Sequence, residues 1–147
     1  MTDNQRQATI DLLFAERCSC VIRKGDEIRI FRERGVKDLF RLLDEDPAFL
    51  DGSFVADKVV GKGAAALMVL GGVKELFADV ISRPAHDLLK RARVKVDCTI
   101  EVPNISNRAK TGICPVEQAC AKCRTAEECL PLITDFLRSV AEKEVGR

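Results

Sequence analysis

The segment Asp57-Lys58-Val59-Val60-Gly61-Lys62-Gly63 gathers one carboxylate, two ammonium groups and two glycines where the pattern predicts a strand running into an apolar helix. A helix N-terminus offers unpaired amides and the positive end of the helix dipole. Glycine lets backbone or ligand come close, so such a junction suits an anion. On this reading Lys58 and Lys62 hold negative charge, and Asp57 accepts a hydrogen bond from the ligand or orients a lysine. The plainer reading has Asp57 capping the helix and both lysines solvated. The phosphate-loop pattern is not met. Ala56 stands where its first glycine belongs, and Gly63 stands where Ser or Thr would follow Lys62.

A second chemistry-bearing stretch is Thr111-Gly112-Ile113-Cys114-Pro115. It sets Cys114 at the start of a short helix, where the dipole and free amides lower a thiol pKa. Arg108 and Lys110 would lower it further if close in space. Cys114 is a candidate nucleophile, redox thiol or ligand contact, with a small buried core residue as the alternative. Cys114, Cys120, Cys123 and Cys129 are spaced Cys-x5-Cys-x2-Cys-x5-Cys. Four thiolates can hold zinc or an iron–sulfur cluster, although these outer intervals match no common signature. Cys120 and Cys123 alone also read as a reducible pair. Asn104, Asn107 and Arg108 would meet a ligand's polar edge or simply build turns. His86, the one histidine, reads as a surface residue.

The elements that position these residues follow from periodicity. A helix is expected over 3–17, then strands 20–23 and 27–31 joined at Lys24-Gly25-Asp26. A helix with Val36, Leu39, Phe40 and Leu43 leads to an acidic loop, Asp44 to Pro47. A short strand at Phe54-Val55-Ala56 precedes a central helix from Val59 to Leu70, apolar nearly all round. A strand at 75–81, a helix capped by Ser82 with Pro84 in its first turn, and a strand at 94–98 come next. Residues 99–112 read as a polar loop, Pro115 opens a short helix, and Thr125 with Glu128 forms a capping box for a last helix in which Pro131 calls for a kink or a later start. Strand–helix alternation calls for parallel pairing, and the hairpin adds an antiparallel edge. The expected architecture is a single α/β domain over 1–147, a three-layer α/β/α sandwich around a mixed sheet.

The 147 residues carry 24 Lys+Arg against 23 Asp+Glu, a net charge of +1 that gives no support to nucleic-acid or membrane-surface binding. The chain has no Trp and no Tyr, so it has few aromatic rings on which bases could stack. No apolar run approaches a membrane span, and the N-terminal residues lack a signal pattern. A cytoplasmic protein is expected, and the seven cysteines then read as thiols, a metal site or a redox site.

The words Arg34-Gly35-Val36-Lys37, Val55 through Lys62, Leu70-Gly71-Gly72-Val73-Lys74, Val80-Ile81-Ser82 and Asn107-Arg108 with Thr111 through Pro115 resemble the prokaryotic family called domain of unknown function 1893. The likeness covers about residues 18–120, leaving much of the cysteine-containing helical segment 114–147 outside it. It implies a cytidine-deaminase-like fold without implying a reaction. A zinc deaminase needs His-x-Glu at its first helix and Pro-Cys-x-x-Cys at its second. Here Val60-Gly61-Lys62 falls near the first, and at the second Pro84 is followed by Ala85 and Leu88 in place of thiolates. Neither side chain binds zinc. The resemblance therefore implies a metal-free, cofactor-free domain for a small anionic or nucleotide-like ligand, with Asp57, Lys58, Gly61, Lys62, Asn107, Arg108 and Cys114 around it. Cys114 and Asp57 are the catalytic candidates if it is an enzyme. The alternatives are a thiol-dependent or redox protein acting through Cys114, and a protein with metal held by cysteines.

Overall fold

The computed structural model describes residues 1–33, 35–107 and 109–145. Its elements run α1 (Asp3–Ala15), β1 (Cys20–Lys24), β2 (Glu27–Phe31), α2 (Lys37–Glu45), α3 (Pro47–Leu50), β3 (Phe54–Val60), α4 (Lys62–Gly71), β4 (Glu75–Ser82), α5 (Arg83–Arg91), β5 (Lys95–Val102), α6 (Pro115–Cys120) and α7 (Ala126–Val145). The sheet order is β2-β1-β3-β4-β5. β1 is antiparallel to both β2 and β3, whereas β3, β4 and β5 are parallel. Gly25, at φ +60°, supplies the positive dihedral that a two-residue hairpin requires.

Alternation along the strands sorts the apolar residues into two cores. Val21, Phe54, Ala56 and Phe77 meet Ile10 and Leu13 of α1 on one face. Ile22, Val55, Leu76 and Ala78 meet α4, α5, α6 and α7 on the other. Helices thus cover both faces of a mixed sheet. Central α4 is buried nearly throughout because, after Lys62, its residues are all Gly, Ala, Leu, Met and Val, and it packs against α2, α3, α5, α6 and α7. Ser82 caps α5 by accepting from the Ala85 amide at 3.2 Å, as expected.

Several boundaries differ from the sequence reading. The strand at 54–56 continues to Val60, and α4 begins only at Lys62, with Gly61 as a cap that makes no side-chain bond. β-branched Val59 and Val60 extend the ladder onto β4 through the pairs Val59 with Val80 and Val60 with Ile81. β5 likewise continues to Val102, through residues expected in a loop. The acidic loop is instead the end of α2, followed by the single turn α3 with Pro47 in its first turn. α7 starts at Ala126 and contains Pro131, so the last helix does not start late.

Candidate functional site

The parallel strands end together at Val60, Ser82 and Val102, where open α/β sheets place their ligands. A cleft of about 60 Å³ lies there, lined by Gly35, Val36, Val59, Gly61, Cys114 and Glu117 among others. Cys114 is half-buried at the N-cap of α6, and its amide donates to the Ile105 carbonyl at 2.8 Å. Cys114 and Gly61 of the β3–α4 junction thus line the same cleft.

Asp57 does not line this cleft but lies on β3 two residues before cleft-lining Val59. It is 8% exposed on β3, opposite Cys20 of β1, and accepts from the amide of cleft-lining Val59 at 3.3 Å. Burial pushes its carboxyl up to about 7, hydrogen bonds from the Val59 and Lys58 amides work against the rise, and the nearby Asp38 adds to it. Asp38, on α2, is itself buried and held above the usual carboxylate range by that burial, with Arg41 as its opposing ion pair. Its Oδ2 has no hydrogen-bond partner among the described residues. Burial and the charge of Asp57 likewise push the Cys20 thiol up. Two carboxyls with raised pKa values beside a cleft are a common setting for proton exchange. Asp38 has no motif to announce it, and only its place directly after the Arg34-Gly35-Val36-Lys37 word hints at it.

The expected anion cradle is not formed by the lysines. Strand alternation sends Lys58 to the α1 face, opposite Asp57. Lys62 is buried; its Nζ donates to the Ala121 and Cys123 carbonyls at 3.2 and 2.6 Å, at the C-terminal end of α6 where a cation is favoured. The first α4 amide is also taken. Lys62 N donates to Glu117 Oε1 at 3.1 Å. The same carboxylate, 2% exposed, accepts from Ser82 Oγ at the start of α5 and from the Ile105 amide. Glu117 thus fills the position between the starts of α4 and α5. Nothing local marks it except an acidic residue in a first helical turn.

The glycines serve the same docking. A Cβ on Gly63 would collide with the Val116 side chain, and one on Gly61 would touch Ile105 and Glu117. They admit α6 rather than leaving open space. Asn107 builds its loop: its Oδ1 accepts from the Thr111 amide at 3.0 Å and its amide donates to the Gly112 carbonyl at 2.9 Å. Arg108 lies outside the described residues. His86 pairs with Glu101 at 2.7 Å near the surface. The seven cysteines are free thiols. Among the described residues no group of three or more His, Cys, Asp or Glu side chains is arranged to hold a metal ion. Also among them, no helix is long and apolar enough to cross a membrane.

Comparison with known proteins fits this frame. Residues 8–137 match the family described as Domain of unknown function (DUF1893). The crystal structure of a DUF1893 family protein from Thermotoga maritima superposes with a TM-score of 0.85 at 23% identity, covering 92% of each chain. At that identity the likeness is one of fold. No curated protein matches the chain.

Proposed function

This chain belongs to the DUF1893 family, and on that premise we propose that it is a metal-free, cytidine-deaminase-like domain that binds a small anionic or nucleotide-like ligand in the cleft at the end of β3. The sheet order, the antiparallel β1 and the two helices starting after β3 and β4 support the deaminase-like comparison. In a zinc deaminase the starts of those helices carry the metal ligands. Here the carboxylate of Glu117 takes hydrogen bonds from both starts, and Gly61, Ala85 and Leu88 offer no ligand atom.

The observation that carries the reading is the coincidence of an open cleft, a half-buried thiol on its wall and a near-neutral carboxyl bonded to the amide of its Val59 wall. Val59 connects the two, as it lines the cleft and donates its amide to Asp57. Neutral Asp57 avoids repelling an anion, whereas ionised Asp57 accepts a polar edge.

The test is calorimetric titration of the wild type with inorganic phosphate, nucleosides and nucleoside monophosphates. Saturable binding of at least one, weakened tenfold or more by Asp57→Asn or Cys114→Ser, is expected. No saturable heat with any of them would end the ligand reading. The second reading, a thiol-dependent enzyme, is favoured by the place of Cys114 on the cleft wall. It predicts that Cys114 is alkylated by iodoacetamide at neutral pH faster than half-buried Cys98, and equal rates would reject it.

A further inference from the structure

Three cysteines of the α6–α7 corner are not used by the cleft. Cys120 closes α6 and is fully buried, and the Cys123 amide donates to its carbonyl at 3.0 Å, forming a tight Cys-x-x-Cys turn. Cys129, also fully buried, sits in the first turns of α7 and shares one core cluster with Cys120, against which Cys123 packs. Cys123 is the half-exposed member, so a reagent in solution meets it first. The turn is anchored from outside the corner by the Lys62 ammonium, bonded to the Ala121 and Cys123 carbonyls.

We propose that this corner is a thiol–disulfide exchange site that accepts low-molecular-weight disulfides at Cys123 and closes an internal Cys123–Cys129 bridge. The Cys123 thiolate attacks one sulfur of a disulfide RSSR. A Cys123–SR bond forms, the S–S bond of the reagent breaks, and the first RSH leaves with the proton Cys123 gave up. Cys129 then attacks the Cys123 sulfur, the bond to SR breaks, and a second RSH leaves with the Cys129 proton. Two protein thiols are oxidised to one disulfide while RSSR is reduced to two RSH. Cys120 is a positioning residue: packed in the same cluster as Cys129, its sulfur is proposed to take the proton Cys129 must lose.

The electrostatics agree with these roles. Hydrogen bonding with Cys129 holds the Cys120 thiol below its ordinary value, with the Lys62 charge assisting, and the same contact pushes Cys129 up. Burial raises Cys123, so the first attack quickens as pH rises. A closed bridge would pin the turn that holds Lys62, the first residue of α4. Oxidation at this corner thereby reaches the helix start that faces the cleft.

The full chain is incubated with oxidised glutathione, quenched in acid, alkylated in denaturant and digested with trypsin. The expected product is Cys123-Arg124 disulfide-linked to the peptide 125–138, with two of the seven thiols lost and both restored by dithiothreitol. Cys123→Ser abolishes the bridge. Cys120→Ser leaves the first step intact and accumulates the glutathione adduct on Cys123. Seven thiols still alkylated, a bridge to the peptide 111–122, or a link between two chains would overturn the proposal. Bridge closure in Cys120→Ser as fast as in wild type would remove Cys120 from it.

Discussion

Asp57 spends energy on staying buried, and its pH response measures how much. Its carboxyl titrates near 7 in the folded chain against an ordinary value of 3.8. As pH rises through 4 the unfolded chain releases this proton first, while the folded chain keeps it until about 7. Across that window the folded state binds more protons, so stability falls as pH rises and levels off above 7. The integrated loss is on the order of 4 kcal/mol. Asp57→Asn keeps an acceptor for the Val59 amide and removes the titration. Urea unfolding from pH 4 to 8 should show the variant gaining on wild type up to about pH 7 and then holding a constant lead. A lead independent of pH would mean that Asp57 is not the group responsible. Glu117 serves instead as an acceptor shared by three donors. Glu117→Ala orphans the Lys62 and Ile105 amides and the Ser82 hydroxyl together, and should cost about 3 kcal/mol or more in the same measurement.

Among the elements, α6 is the piece that reorganises the site. It is six residues long, too short to persist alone, and α4 clamps it at both ends through the Lys62 amide and ammonium. Gly63 lets Val116 seat against α4. Gly63→Ala should therefore destabilise by about 1–3 kcal/mol through overpacking, although alanine is the better helix former. Val116→Ala removes the opposing side chain, so the double variant should be more stable than the two single losses predict. Additive losses in thermal unfolding would show that Val116 is not the obstacle. The same corner marks where the sequence could be read and where it could not. The hairpin at Gly25 and the Ser82–Pro84 helix start carry local turn and cap chemistry, and both stand where expected. Val59-Val60 did not, because an unbroken apolar run belongs equally to a buried strand and a buried helix. That ambiguity moved the helix start to Val59, and with it came the idea that Asp57, Lys58 and Lys62 share one mouth. The place of Cys114 was legible from its helix start. Glu117 was not, since its meaning lies in a contact 55 residues away.

At the scale of the whole molecule, the sheet divides the interior into two cores that share only backbone. One is the small α1 core, tied at its rim by Arg6 to Glu75 at 2.6 Å and to Asp97 at 3.2 Å. The other, between the sheet and α4, holds most of the buried apolar residues and reaches the cleft. Each core contains its own thiol reporters: Cys18 beside Leu13 in the first, Cys120 and Cys129 in the second. Leu13 and Ile133 are both fully buried, and replacing either by alanine should cost about 2–5 kcal/mol through lost burial and a residual cavity. Their local effects should separate. With α1 on its own face, Leu13→Ala should speed native-state labelling of Cys18 while leaving Cys120 and Cys129 near wild-type rates, and Ile133→Ala should do the reverse. The comparison needs only a thiol reagent under native conditions and peptide mapping. If both variants accelerate both sets equally, every opening is global. The faces of the sheet would then form a single cooperative unit, and a disturbance at α1 would be felt at the cleft as strongly as one at α7.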